Sequence, residues 1–261
     1  VDTARLAYLG PGLVPHMPEI AAMYSRLHLR TMRELGYISP ALHPERCEIP
    51  QLQDRLQVGF ISGLFSDSAV GNLARGIIAS LPPGSLDVHL ISLGSLQQGS
   101  KKPSQVVEAI AERTRRIVEL DFWGAASAGT RKELKQARRT IESLKLHVLV
   151  FLEIGLDVRS FILAHSRLAP VQLVTYGHAA TTGIPMLDAF VSHTAFEPLS
   201  SRPLSRYTER LVLVPGLPHF RRSMPKIQVA AGAGFPGAED WPRWKELLRD
   251  GAGGALPDFE P

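Results

Sequence analysis

Between residues 56 and 214, short apolar runs of strand length alternate with segments whose apolar residues recur at helical spacing. Strand-like runs fall at 56–61, 88–93, 117–120, 146–152, 171–174, 189–191 and 211–214. Between the earlier ones lie helix patterns: Leu73, Ile77 and Leu81; Val106, Val107 and Ile110; Leu134, Ala137, Ile141 and Leu144; and 158–166. Thr130 followed by Glu133 has the spacing of a capping box at the head of the third. Strands alternating with helices specify a parallel sheet covered on both faces, because each parallel connection must cross over. The expected fold is therefore α/β, a Rossmann-like doubly wound sheet over 51–219.

Both flanks break this rhythm. Residues 1–50 are rich in proline and carry one helix pattern, about 18–35, with Ile20, Met23, Tyr24 and Leu27 as its apolar face and Met32 and Leu35 extending it. This reads as a helical connector packed on the body that follows. Residues 220–261 are Ala/Gly/Pro-rich, with Trp241, Trp244, Leu247 and Leu248 able to form one short helix, and read as an irregular tail. The chain begins at Val1, which suggests a fragment or a processed start.

Charge and cysteine usage narrow the function classes. The net charge is +4, and the basic clusters are short: Lys101-Lys102, Arg113 with Arg115-Arg116, Arg138-Arg139 and Arg221-Arg222. On helices, such clusters are read as solvated faces, and no aromatic residues interleave with them as a single-strand nucleic-acid platform requires. A nucleic-acid partner is not expected. No apolar run reaches the roughly 20 residues of a membrane helix. Cys47 is the only cysteine, which suits a reducing compartment, cytoplasmic or nuclear. Walker A and Gly-x-Ser-x-Gly motifs are absent, and the nine histidines show no metal-ligand spacing.

Three loops follow strands of the expected sheet. Parallel strands bring such loops to one edge, where open α/β sheets place ligands. Asp67 and Ser68 lie between the first strand and its helix, and either can bind a polar ligand or cap the helix. Gly155 permits a tight turn or a close ligand approach, while Asp157 can serve a ligand or cap the next helix. In the stretch 167–183, Pro170 stops any incoming helix, a strand follows, and Gly177, His178, Thr181, Thr182 and Gly183 close the run. His178 can donate to a ligand oxygen or be an ordinary loop histidine. The two threonines can bind a sugar or phosphate, or close a turn.

The blocks Leu56-Gln57-Val58-Gly59-Phe60-Ile61-Ser62, Phe65-Ser66-Asp67-Ser68-Ala69-Val70-Gly71, Arg167-Leu168-Ala169-Pro170-Val171-Gln172, Gly177-His178 with Thr181-Thr182-Gly183, and Tyr207-Thr208-Glu209-Arg210-Leu211-Val212 occur in this order. Together they resemble the amino-terminal catalytic lobe of O-linked N-acetylglucosamine transferases and SPINDLY-type protein glycosyltransferases. Ile154-Gly155-Leu156-Asp157 resembles a variant of bacterial and algal-type members. The resemblance implies one lobe of a two-Rossmann-domain enzyme. Such an enzyme moves a sugar from a UDP-sugar to Ser or Thr of a protein acceptor, with inversion and without a cofactor or required metal, often behind tetratricopeptide repeats. It puts Asp67 and Ser68 at the catalytic position and Gly155, Asp157, Gly177, His178, Thr181, Thr182 and Gly183 around the substrate. Two departures stand out: the family usually carries histidine where this chain has Ser68, and its second lobe is not recognisable after Phe220. As a single lobe the chain is expected to be incomplete, with little or no transferase activity by itself, and a catalytically inactive remnant serving as a binding or scaffold domain is the alternative.

Overall fold

The computed structural model describes residues 16–43, 54–82, 84–96, 104–120, 130–197 and 203–215, all within the first of the chain's two units, Val1–Ser223. Seven strands form one sheet: β1 (Leu56–Ser62), β2 (Leu86–Ser92), β3 (Arg116–Glu119), β4 (Val148–Phe151), β5 (Val171–Thr175), β6 (Ala189–His193) and β7 (Arg210–Val214). Their order is β3-β2-β1-β4-β5-β6-β7, and every pairing is parallel. The doubly wound, helix-covered sheet expected from the alternation is present, and each strand begins and ends within two residues of the run that announced it.

Alternation along each strand divides the core between the faces. Val58 and Phe60 of β1 join Val88, Leu90 and Val150 on one face, where α2 (Ala69–Ser80) and α3 (Gln105–Ala111) pack through Val70, Ala74, Ile78, Val106, Val107 and Ile110. Ile61, Ile91, Leu149, Phe151 and Phe190 face the other way. There they meet α4 (Thr130–Glu142) and α5 (Val158–Ala164). The stripe Leu134, Ala137, Ile141 and Leu144 is buried as its spacing required. Phe151 and Phe190 are fully enclosed, each contributing about 2–3 kcal/mol of burial. The side chain of Thr130, and with it the capping box, lies outside the described residues, as does the tail after 215.

The amino-terminal helix differs from its sequence pattern in two ways. It is α1 (Met17–Thr31), interrupted at Met32 before a 3-10 turn at Arg33–Leu35, rather than one helix through Leu35. Its buried side is Met17, Ala21 and Ser25, whereas Met23 and Leu27 are 62% and 55% exposed. Small residues win this face because α1 docks by close backbone approach. Gly183 sits against the main chain of Ala21 and Ala22, and a Cβ there would overlap it. Beside that contact the Ser25 hydroxyl donates to Nε2 of buried His165 at 2.9 Å, and the Nδ1–H of His165 donates to the Phe161 carbonyl at 2.8 Å.

One basic cluster also departs from expectation. Arg139 is exposed, but Arg138 is 7% exposed and points inward. Its guanidinium donates to Ser166 Oγ at 2.8 Å and to the carbonyls of Glu34 and Leu35 at 2.7 and 3.3 Å, and lies 4.7 Å from the Tyr37 ring centroid. Instead of a solvated face, this arginine pins the connector to α4. Residues 37–39 run beside Arg167 through Arg167 N–H to the Tyr37 carbonyl and Ser39 N–H to the Arg167 carbonyl.

Candidate functional site

Strand order reverses between β1 and β4, so the carboxyl ends of these two strands form the crevice where open α/β sheets hold ligands. The group at its base is Glu153, immediately after β4 and fully buried. Ser62 Oγ, at the end of β1, donates to Glu153 Oε2 at 2.6 Å, and the Gly63 N–H donates to Oε1 at 3.2 Å. Burial pushes the Glu153 carboxyl up to about 7. The two hydrogen bonds pull the other way, and the Asp157 charge pushes further up.

From this pair a line of contacts crosses the edge. The Asp157 carboxylate lies against the bare Cα of Gly63, where a Cβ would strike it. The Arg159 guanidinium, paired with Asp157 at 2.6 Å, reaches on to Gly94 beyond β2. On the other side Gly177 rests on the Leu152 carbonyl and beside the Glu153 Cβ, and Thr175 Oγ1 donates to the same carbonyl at 2.9 Å. The ends of β2, β1, β4 and β5 are thus stitched together, and glycine stands at the contact points because each neighbour occupies the space of a side chain.

The expected site residues take distinct places. Ser68 caps α2: its Oγ accepts the Gly71 N–H at 3.0 Å and donates to the Leu64 carbonyl at 3.0 Å. Asp67 is exposed and makes no hydrogen bond among the described residues. Asp157 caps α5 by accepting the Arg159 N–H at 2.8 Å. Gly155 makes the turn between β4 and α5 with φ of +108°. His178 is buried, and its Nδ1 accepts the Ala180 N–H at 3.2 Å, while Ala179 at the loop tip is exposed. Ser68, Asp157, Gly155, Gly177 and His178 therefore share the carboxyl edge.

Thr181, Thr182 and Gly183 leave that edge and run toward the entry of β7. Thr181 Oγ1 donates to Glu209 Oε2 at 2.6 Å, the Thr182 N–H donates to Oε1 at 2.9 Å, and the Thr182 hydroxyl binds the same oxygen. Thr208 Oγ1 donates to Glu209 at 3.1 Å and accepts the Gly183 N–H at 3.1 Å. Both threonine hydroxyls are committed to a buried carboxylate.

The polar residues of the preceding stretch are scaffolding too. The Gln172 side chain accepts the Leu168 N–H and donates to the Ser166 and Met186 carbonyls, while its backbone N–H donates to the Asp188 carboxylate and its carbonyl accepts the Asp188 N–H. Arg167 donates to Asp188 at 2.9 Å and to the Met186 and Pro170 carbonyls. Glu153, Ser62, Arg159 and Glu209 were not among the site residues expected from sequence. The available signal was a carboxylate set among apolar strand residues at 153 and beside Thr208 at 209, since burial of such a group demands donors.

Beyond Gly177, Tyr176 and His193 extend the same edge. His193 Nε2 and the Tyr176 hydroxyl are 2.9 Å apart, and the exposed ring of Phe196 stands edge-on to Tyr176 at 5.4 Å. Burial pushes the Tyr176 phenol up to about 12. Among the described residues no group of three or more His, Cys, Asp or Glu is placed to hold a metal ion, and no helix is long and apolar enough to cross a membrane.

No family model matches the chain, and no curated protein does. Solved structures do. A mutant of Thermobaculum terrenum O-GlcNAc transferase superposes with a TM-score of 0.53 at 21% identity, covering 73% of this chain and 33% of that one. The likeness is one of fold, and the chain spans about a third of that protein's length.

Proposed function

We propose that this chain is the acceptor-side lobe of a protein O-glycosyltransferase, working on a UDP-sugar donor and on Ser or Thr hydroxyls of protein acceptors. The observation that carries the reading is the stitched carboxyl edge, with Gly177 and His178 beside the β1/β4 crevice, in a fold shared with an O-GlcNAc transferase. In the proposed reaction a protein hydroxyl attacks the anomeric carbon, the bond to the diphosphate breaks, and the hydroxyl proton passes to a base. Gly177 and His178 form the wall nearest the sugar, with Asp67, Ser68, Gly155 and Asp157 bordering the acceptor path. Thr181, Thr182 and Gly183 support that wall from behind through Glu209.

One observation favours the second reading, a remnant that binds without transferring. The Ser68 hydroxyl, at the position of the family's histidine, both donates and accepts within the α2 cap, and a serine hydroxyl takes no proton near neutral pH without a base beside it. Transfer of labelled sugar from UDP-N-acetylglucosamine to a Ser/Thr peptide, measured in the chain joined to the complete second lobe of a two-lobe transferase, decides between them. Turnover that falls in His178→Ala supports the transferase. Saturable peptide binding without turnover supports the remnant, and neither binding nor turnover removes both.

A further inference from the structure

We propose that the groove between the connector and α4 is a docking site for an extended acidic peptide of a partner protein, with carboxylates on alternate residues. The groove holds about 580 Å³. Its lining includes the apolar or aromatic side chains of Tyr37, Pro40, Ala41 and Leu134. One wall is a row of cations, Arg131, Lys135 and Arg139, spaced i, i+4, i+8 on α4. Four helical residues rise about 6 Å. Two residues of an extended chain rise about 6.6 Å. A strand laid along the groove therefore presents every second side chain to one cation of the row, while the residues between turn toward the apolar lining.

The charge balance fits an acidic occupant. Lys135 and Arg139 are exposed and make no ion pair among the described residues. Arg131 pairs with Glu34 at 3.0 Å, but its side chain is 85% exposed, and a solvated pair of this kind exchanges partners at little cost. Arg138 adds a fourth positive charge from beneath. The acids of the lining are Glu34 and Glu142. Glu142 accepts the Tyr37 hydroxyl at 2.6 Å beside Arg138, so the lining keeps a net positive charge. The Tyr37 ring and the Arg138 guanidinium are held by contacts independent of any ligand, so the site is formed before binding.

This site stands apart from the carboxyl-edge site and does not depend on the transferase reading. The test is fluorescence anisotropy of the full chain with a labelled octapeptide alternating glutamate and valine. The expected result is saturable binding that weakens as salt is raised. The double variant Lys135→Glu/Arg139→Glu should lose about tenfold or more in affinity at unchanged melting temperature, and Lys135→Arg/Arg139→Lys should retain it. The proposal is overturned by absence of binding, by equal binding of a peptide with the same glutamates grouped at one end, by equal competition from single-stranded DNA or polyphosphate, or by an unaffected double variant.

Discussion

Ser62 and Glu153 join the carboxyl ends of β1 and β4 by a hydrogen bond of 2.6 Å inside a site closed to solvent. The bond sits at the reversal of strand order, and its carboxyl is held up to about 7 by burial. A carboxyl raised in the folded state binds a proton more tightly there than in the unfolded chain. Its contribution is fully present below the unfolded value of 4.5 and is lost as pH rises through about 7.

Glu153→Gln removes this dependence. The shift from 4.5 to about 7 corresponds to roughly 3 kcal/mol at most. Relative to the parent, the variant should therefore gain up to that much unfolding free energy at pH 8 compared with pH 4.5. Urea titrations at both pH values measure it, and a difference independent of pH would contradict the assignment.

His165 works in the opposite sense. Burial drives its imidazole down to about 4 from 6.5, so its contribution is present above 6.5 and lost as pH falls through 4. Between 4.5 and 6.5 the two groups partly cancel. In Glu153→Gln the acid arm should stand alone, with stability falling below pH 6.5, and adding His165→Gln should flatten it. Ser25→Ala removes the partner of the same ring and should cost about 1–3 kcal/mol by thermal unfolding.

Glu209→Ala strips the carboxylate from Thr181, Thr182 and Thr208 together. A loss of about 3 kcal/mol or more is expected, because buried donors are left without an acceptor. Amide hydrogen exchange should accelerate at 181–184 before it does at β1 or β4. Uniform acceleration across the sheet would place the effect elsewhere.

Gly183→Ala meets the main chain of Ala21 and requires φ near +68°. The overlap acts on α1 docking, and the positive φ strains the turn that carries the contact. Limited proteolysis should release the 16–31 segment in this variant while β1 to β5 stay protected, and an unchanged cleavage pattern would refute the close-approach account of α1.

Ser68→Ala should cost about 1 kcal/mol as a lost helix cap, and Ser68→Asp much less, since aspartate caps well. If the protein transfers sugar, Ser68→Ala should not lose the roughly 10²–10⁴-fold that removal of a general base brings. A loss on that scale at unchanged stability would show that the hydroxyl acts in the chemistry.

Much of this was legible in the chain itself. Local apolar periodicity located all seven strands, and strand–helix alternation made the sheet parallel, because short-range patterning and crossover geometry leave few other solutions. It also placed the loops holding Ser68, Gly155, Asp157 and His178 on one edge. Tertiary structure decided what pattern cannot carry. The buried side of α1 followed from backbone approach at Gly183, so Met23 and Leu27 stayed outside despite their hydrophobicity. Arg138 turned inward because two carbonyls, a hydroxyl and a ring converge from distant segments to receive it. Thr181 and Thr182, suited in sequence to a ligand or a turn, were drawn to Glu209 nearly thirty residues on. A carboxylate's need for donors is written in its own residue, but which donors reach it depends on where separate parts of the chain meet.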